Sequence, residues 1–133
     1  MPFLLDTNIC SEHLRGKNPR VYGKLVQHGG QIYVSRLVCA ELYALAFRRN
    51  EKEVDRLEDF LPELKIIEFD SQCARKYGQI HAHLAERGVA IGTVDLMLAA
   101  TAVIHNLILV THDRGFKRVA DVLPGLRLVD WLD

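Results

Sequence analysis

The hydrophobic pattern of the chain alternates between short, wholly apolar runs and longer stretches with apolar residues at helical spacing. Two runs, Phe3–Leu5 and Leu107–Val110, leave no solvated face, which is typical of strands buried on both sides of a parallel sheet. Weaker strand patterns cover Ile32–Val34, Lys65–Phe69 and Leu126–Val129. The pattern therefore predicts five strands, with the two most apolar ones as neighbours in the middle of the sheet.

Stretches with helical spacing lie between these strands and predict helices. They cover Ile9–Leu14, Pro19–His28, Arg36–Arg49, Glu51–Leu61, Ser71–Arg87, Val94–His105 and Phe116–Ala120. Val26 is expected to face inward, Ser71 and Thr93 to cap helices, and Gly88 to end one. Strands that alternate with helices, without a linker or long repeat, predict a single α/β domain over residues 1–133. Its three layers are a mainly parallel central sheet and the helices that flank it.

The amino-acid composition indicates which kind of protein the chain is. The 17 Lys and Arg residues balance the 17 Asp and Glu residues, so net charge gives no indication of a nucleic-acid or membrane partner. Cys10, Cys39 and Cys73 fit small core residues in a reducing compartment, and their spacing matches neither a disulfide framework nor a zinc site. No basic leader or membrane-length apolar run is present. We therefore expect a soluble, cytoplasmic protein.

Two predicted helices carry an acid on their apolar side. In the third helix, Leu42 and Leu45 belong to the stripe expected to face the core, and Glu41 lies on the same side. In the sixth helix, Asp95 is aligned with Leu98 and has apolar neighbours. The helix dipole favours an acid in the first turn, so a purely structural role for Asp95 stays open. An acid on an inward helix face nevertheless needs a partner.

Two more acids follow the most apolar strands. Asp6 follows the first, beside Thr7, and Asp113 follows the fourth, near Thr111. Open α/β sheets bind ligands at the carboxyl ends of strands, at the switch point of the strand order. If the two strands flank that point, Asp6 and Asp113 converge in one crevice, within reach of the two helix acids. The alternative is that Asp6 or Thr7 only caps the following helix.

Four carboxylates that converge on one place need a positive charge nearby. They raise one another's pKa and oppose folding unless a positive charge neutralises them. No Lys or Arg lies within the apolar stretches that carry these acids. A hard divalent cation, Mg²⁺ or Mn²⁺, is the natural neutraliser because it prefers carboxylate oxygens. Such a site polarises a phosphoryl oxygen, activates water and stabilises the leaving oxyanion, which are the needs of phosphodiester hydrolysis.

Basic residues follow the first and last of these acids. The candidate contacts to flanking phosphates are Arg15 and Lys17 after Asp6, and Arg114 and Lys117 after Asp113. Charge-assisted hydrogen bonds from such side chains would hold a nucleic-acid backbone across the crevice. Taken separately, each basic cluster is equally typical of a solvated surface.

Four motifs surround the acids in order along the chain: Leu5–Ile9, Ala40–Leu42, Ile91–Ala100, and Thr111–Asp113 with Phe116. In this combination the chain resembles PIN-domain ribonucleases, and more closely the VapC toxins of bacterial and archaeal toxin–antitoxin pairs. The likeness extends from Pro2 to Trp131. Many relatives carry Gly where this chain has Ala44, a departure that bears on helix packing and leaves all four acids in place.

The resemblance implies a Mg²⁺-dependent endoribonuclease that cuts structured RNA such as transfer or ribosomal RNA. It also implies a homodimer and a cognate VapB-type antitoxin whose tail enters the active site. Because exposed apolar residues on helices commonly mark interfaces, Val21–Leu25 and Leu37–Leu45 are the predicted dimer regions.

The resemblance also assigns roles to residues. The catalytic and metal-binding set is Asp6, Glu41, Asp95 and Asp113. The three aspartates are expected to ligate the ion directly or through water, and Glu41 to be a ligand or to orient the attacking water. Thr7 and Thr111 are expected to hold carboxylates or water in place.

Other classes of protein share part of this pattern. A phosphatase with an aspartyl nucleophile usually needs a second acid two residues after the first, where this chain has Asn8. A receiver domain needs an acidic pair, an acceptor Asp and a Lys at successive strand ends, and that set is missing. A non-catalytic RNA- or protein-binding module, in which the fold persists and the acids are structural, is the remaining alternative. The intact set of four acids argues against it.

Overall fold

The computed structural model describes residues 2–16 and 18–133, and a five-stranded parallel sheet forms its centre. The strands are β1 Phe3–Leu5, β2 Ile32–Ser35, β3 Lys65–Ile67, β4 Ile108–Val110 and β5 Arg127–Val129. Their spatial order is β3-β2-β1-β4-β5, and every neighbouring pair is parallel. The five predicted strands and the parallel sheet are therefore confirmed.

Seven α-helices flank the sheet in the described part of the chain. They are α1 Thr7–Leu14, α2 Pro19–Gln27, α3 Arg36–Phe47, α4 Glu51–Phe60, α5 Ser71–Glu86, α6 Thr93–Ile104 and α7 Gly115–Val122, with a single 3₁₀ turn at Leu61–Glu63. Each corresponds to a predicted helix, with ends shifted by a few residues. The predicted α/β class is confirmed.

The strand order changes direction at β1. Leu5 pairs with Val34 of β2 on one side and with Val110 of β4 on the other, so β1 and β4 are the expected central neighbours. The pairing extends one residue further, because the Asp6 N–H donates to the Val110 carbonyl at 2.9 Å. The chain leaves β1 towards β2 and returns to β4 on the opposite side, which creates a switch point at the strands' carboxyl ends.

Two of the predicted helix caps were wrong. Asp70, not Ser71, caps α5, because its extended backbone lets Oδ1 accept from the Cys73 N–H at 2.9 Å. Gly92, not Thr93, precedes α6, so Thr93 is already the first helical residue and makes no side-chain cap. Gly88 confirms its predicted role, since its φ of +66° is the left-handed conformation that glycine adopts easily after a helix.

Buried apolar residues from strands and helices form one continuous cluster. Two inward predictions were wrong: Val26 is 65% exposed and Leu45 is 44% exposed. In α3 the buried stripe continues from Leu42 to Ala46, four residues on, which leaves Leu45 at the stripe's margin. The three cysteines are buried and free, as predicted for core residues. Of the helices in residues 2–16 and 18–133, none has both the length and the apolar character that a membrane span needs.

Candidate active site

Asp6 lies at the carboxyl end of β1 and is only 5% exposed. Its Oδ1 accepts the Thr7 N–H at 2.7 Å, so Asp6 also caps α1. Its Oδ2 accepts the Thr111 hydroxyl at 2.8 Å. Burial raises the pKa of this carboxyl, the two hydrogen bonds oppose that shift, and the negative charges of Glu41 and Asp113 add to it. Asp6 therefore caps α1 and also belongs to a cluster of negatively charged side chains.

Glu41 reaches the same place from α3. Its Oε1 accepts the Thr7 hydroxyl at 2.6 Å, although the two residues are 34 positions apart in sequence. Thr7 therefore contacts two acids at once, Asp6 through its backbone N–H and Glu41 through its side chain. Glu41 is half-buried because it lies beside the apolar stripe of α3, a helix that packs against α1.

Asp95 lies in the first turn of α6 and is half-buried. Its pKa is raised to about 6, first by burial and then by the negative charges of Asp6, Asp113 and Glu41. The four acids therefore act on one another electrostatically. A helix dipole alone would stabilise the ionised form of Asp95, whereas burial and the like charges act in the opposite direction.

Asp113 follows β4 and is exposed to solvent. Its backbone N–H donates to the Thr111 hydroxyl oxygen at 3.0 Å, and its Oδ1 accepts the Gly115 N–H at 2.8 Å. The Thr111 hydroxyl thus accepts from the Asp113 backbone while it donates to Asp6. A Cβ at position 115 would lie 3.1 Å from Asp113 Oδ1, so glycine leaves room for the carboxylate to turn back.

All four acids line one open cleft of about 530 Å³. The remaining lining residues are Thr7, Asn8, Ser11, Glu12, Arg15, His112 and Leu132. The structure thus brings together the four acids predicted from sequence, at the switch point where the fold predicted the crevice. Of the two predicted threonines, Thr7 lines the cleft itself, and Thr111 is buried beneath it, bonded to Asp6.

The predicted basic residues divide into three cases. Arg15 lines the cleft, and its guanidinium lies 3.5 Å from the Glu12 carboxylate in a solvent-exposed pair. Arg114 and Lys117 are exposed at the start of α7, next to Asp113 in sequence but outside the lining of the cleft. Lys17 lies outside the described residues. Among the candidates that the structure describes, Arg15 therefore lies nearest to the four acids, because it lines the same cleft.

Asn8, Ser11 and Glu12 line the cleft and were missed by sequence reasoning. Ser11 and Glu12 lie three and four positions after Asn8, so one face of α1 forms a wall of the cleft, and the predicted Arg15 continues that wall after the helix ends. That spacing was the available signal. His112 was also missed, and its Nδ1 lies 2.8 Å from Asp130 Oδ2, which fixes the ring at the rim of the cleft.

The donor set fits a hard divalent cation. Within the described residues, none of the four acids forms an ion pair with Lys or Arg. Four carboxylates in one cleft offer only oxygen ligands, which suit Mg²⁺ or Mn²⁺. Burial raises the pKa of Asp6 and of Asp95, and the negative charges of the neighbouring acids add to both shifts. A cation bound there would remove that repulsion.

Comparison with known proteins adds an independent finding. The family model described as PIN domain matches residues 3–122. The protein named ribonuclease VapC2 from Rickettsia felis is 35% identical, with 98% of each chain covered. The tRNA(fMet)-specific endonuclease VapC from Salmonella typhimurium is 31% identical over 98% of each chain. A crystal structure of VapBC2 from Rickettsia felis bound to a promoter DNA fragment matches with a TM-score of 0.89 and 32% identity, covering 98% of this chain and 99% of that one.

Proposed function

The chain belongs to the PIN-domain family, and on that premise we propose that it is the endoribonuclease toxin of a VapBC-type toxin–antitoxin pair. Membership confirms the resemblance found in the motifs. The proposal is specific about the site: one divalent-metal centre built by Asp6, Glu41, Asp95 and Asp113, which hydrolyses phosphodiester bonds in RNA. Residues 1–133 are proposed to act as a single catalytic domain.

The observation that carries this proposal is the convergence of four carboxylates in an open cleft without a paired Lys or Arg among the described residues. Like charges in such an arrangement cost stability, so a fold that holds them together has a use for them. A purely structural set of acids would instead be paired with cations or spread over the surface. This favours the enzyme over the non-catalytic binding module.

In the proposed mechanism, Asp6, Asp95 and Asp113 would hold Mg²⁺ or Mn²⁺, which would supply charge stabilisation for the phosphoryl oxygens and activate the attacking water. Glu41 is placed to ligate the ion or to accept a proton from the attacking water, and the Thr7 hydroxyl at Oε1 orients that carboxylate. The Thr111 hydroxyl donates to Asp6 Oδ2 and the Thr7 N–H donates to Oδ1, so these two contacts fix the orientation of the carboxylate.

The proposed substrate is structured RNA, transfer or ribosomal RNA. The Salmonella relative is named for cleavage of tRNA(fMet), and this supports a transfer RNA for the present chain. The cleft is open, so it admits a phosphodiester backbone that remains attached to a larger molecule. Arg15, on the wall formed by α1, is positioned to contact a phosphate next to the scissile one.

The proposed partner is a VapB-type antitoxin, as in the similar VapBC2 complex. A second cavity of about 110 Å³, lined mainly by apolar residues of α1, α3 and α4, adjoins the cleft. Ser11 and Arg15 line both spaces, and Leu45 and Leu57 line the second. An apolar side chain of the antitoxin in this cavity would place the following residues over the four acids and block substrate.

A homodimer is also part of the proposal. The predicted interface at Val21–Leu25 needs revision because Val21 is fully buried in the core. The exposed apolar residues of α2 are instead Tyr22 and Val26, at 61% and 65% exposure, and they lie one helical turn apart. We assign the dimer contact to this patch, since Leu45, of the other exposed pair Leu45 and Phe47, lines the cavity proposed for the antitoxin.

The experiment that tests the function is cleavage of purified cellular RNA by the wild-type chain and by Asp6→Asn. Wild type should cut with Mg²⁺ or Mn²⁺ and stop when a chelator is added, whereas Asp6→Asn should be inactive under both conditions. Equal cutting by both proteins would identify a contaminating nuclease and favour the non-catalytic module.

A further inference from the structure

A second group of metal-ligating side chains lies away from the cleft. Asp70, Cys73 and His105 each offer one ligand atom, and these three atoms lie within 4.8 Å of one another. None of the three lines the active-site cleft. The group combines a carboxylate, a thiol and an imidazole, so it differs in chemistry from the four carboxylates of the active site.

The fold places these residues at the ends of two packed helices. Asp70 caps the N-terminus of α5, and Cys73 lies one turn further along that helix. His105 follows the last residue of α6, so the group joins the start of one helix to the end of the other. Asp70 Oδ2 lies 3.2 Å from His105 Nε2, while Asp70 Oδ1 accepts the Cys73 backbone N–H at 2.9 Å.

These separations suit insertion of a metal ion. Zn²⁺ binds Cys, His and Asp ligands at about 2.0–2.3 Å in a tetrahedral arrangement, which sets ligand atoms roughly 3.3–3.8 Å apart. The Asp70–His105 pair is already near that separation, and the thiol of Cys73 interacts with the same carboxylate. Small side-chain rotations are therefore sufficient to complete a three-ligand site.

Access and burial are also suitable. The side chains of Asp70 and His105 are 44% and 31% exposed, so an ion can enter from solvent and keep a water as its fourth ligand. Cys73 is fully buried, so the site has one protected soft ligand on its inner side. Thiolate and imidazole ligands select Zn²⁺ over Mg²⁺ and Ca²⁺, which prefer oxygen.

We propose that Asp70, Cys73 and His105 form a second metal site, selective for Zn²⁺ and independent of the catalytic centre. Binding displaces the thiol proton to solvent and replaces the Asp70–His105 hydrogen bond by two bonds to the ion. The ion links α5 to α6 at the end of α6 opposite Asp95. Because only the folded chain presents the three ligands together, Zn²⁺ stabilises the native state by mass action.

The test uses Co²⁺ as a spectroscopic substitute for Zn²⁺, added to the metal-free full-length chain in a large excess of Mg²⁺. Wild type should develop a thiolate-to-Co²⁺ charge-transfer band, which Zn²⁺ then abolishes. Cys73→Ser should lack the band, and Cys39→Ser, which removes another buried thiol, should retain it. Asp6→Asn should also retain it, since the catalytic centre is a separate site.

A further variant covers the case in which Cys73→Ser does not fold. His105→Gln alters a partly exposed residue and should weaken Co²⁺ binding by more than the roughly 10–100-fold typical of losing an outer hydrogen-bond partner of a metal ligand. Zn²⁺ should raise the Tm of wild type and have a much smaller effect on His105→Gln. Co²⁺ binding without a thiolate band, or equal affinity in His105→Gln and wild type, would overturn the proposal.

Discussion

The Thr111 hydroxyl donates to Asp6 Oδ2 at 2.8 Å and joins residues that are 105 positions apart in sequence. The same oxygen accepts the Asp113 N–H at 3.0 Å. One side chain therefore holds the acids that follow β1 and β4 in a fixed relation. Because Asp6 is nearly inaccessible to solvent, water cannot replace this contact readily.

Replacing Thr111 by Val should impair the site without removing a carboxylate. Valine has a similar shape but leaves Asp6 Oδ2 with only the longer 3.4 Å contact from the Asn8 amide, so the carboxylate is held less firmly in the orientation proposed for metal binding. We expect metal affinity or cleavage rate to fall by about 10–100-fold, as for other partners of metal ligands. The measurement is cleavage rate as a function of Mg²⁺ concentration. Thr111→Ser retains the hydroxyl and should recover most of the activity.

The four acids should act as one unit in catalysis. Asp6→Asn should lower the cleavage rate by about 100–1,000-fold, the loss typical of removing one group that stabilises the transition state. Adding Asp113→Asn should cost little more, because the metal centre is already lost. Single-turnover rates for the two single variants and the double variant test this. Independent, multiplying losses would mean that the acids do not share a site.

A charge control accompanies this series. Asp121 is exposed on α7, so Asp121→Asn should cut RNA at the wild-type rate. Asp130 looks equally suitable in sequence but accepts from His112 at 2.8 Å and from the Leu132 N–H at 2.8 Å. It is therefore a poorer control than Asp121.

Without metal, Asp95 should make the chain more stable at mildly acidic pH. Its pKa is about 6 in the folded state, above the roughly 3.9 of an unfolded Asp, so the native state binds its proton first as pH falls. This contribution is fully present below about pH 4 and is lost as pH rises through about 6. We expect about 1 kcal/mol after allowance for solvent screening of a half-buried group. Denaturant unfolding in chelator measures it.

The variant Asp95→Asn separates the contribution of Asp95 to stability from that of all other titrating groups. Asp95→Asn should be as stable as wild type or more stable at pH 8 in chelator, because it removes like-charge repulsion. The difference between the two proteins should shrink towards pH 4. Mg²⁺ should raise the Tm of wild type more than that of the variant. A clear loss of stability in Asp95→Asn at pH 8 would identify Asp95 as a structural residue.

Arg15→Gln should weaken RNA binding while the metal site stays intact. Loss of one phosphate contact should reduce the slope of log affinity against log salt concentration by about 1. Binding is measured over a range of salt concentrations in the Asp6→Asn background, which does not cut the RNA during the assay. The Mg²⁺ dependence of cleavage by Arg15→Gln alone checks that its metal site is intact. Lys52→Gln removes an exposed cation on α4 that does not line the cleft and should leave the slope unchanged.

Leu45→Asp should weaken inhibition by the antitoxin and leave catalysis unchanged. Leu45 lines the apolar cavity beside the cleft, so a charge there should weaken binding of the cognate antitoxin by about 10-fold or more, as loss of about 1.5 kcal/mol of apolar burial does. RNA cleavage by the free protein should be unchanged. Val26→Ser, on the exposed patch of α2, should leave inhibition as in wild type. Full inhibition of Leu45→Asp would place the antitoxin elsewhere.

Much of the fold and the acidic set followed from the sequence, for a simple physical reason. A strand without a polar face, such as Phe3–Leu5, must lie in the centre of a sheet, and its neighbour is the other strand of that kind. Once β1 and β4 are neighbours, the residues after them are at one edge. The sequence alone therefore predicts that Asp6 and Asp113 lie close together.

Contacts between side chains from different elements did not follow in the same way. The Thr7–Glu41 hydrogen bond depends on how α3 packs against α1, which periodicity does not specify. Cys73 and His105 are 32 positions apart and fit no local metal-binding spacing, so only the packing of α5 on α6 reveals their proximity to Asp70. The cap error at Ser71 arose because the adjacent Asp70 is an equally good capping residue. At α6 the helix begins one residue earlier than predicted, with Gly92 before it, so Thr93 lies inside the helix.

The central position of β1 also determines when this chain becomes able to cut RNA. Its β4 partner is contributed by residues 108–110, and Thr111 and Asp113 come later still. A nascent polypeptide that has not yet released this segment from the ribosome lacks both the sheet neighbour of β1 and one of its four acids. The group of four acids can therefore close only after the 105 positions that separate Asp6 from Thr111 have been synthesised, and a shorter nascent chain lacks the finished cleft.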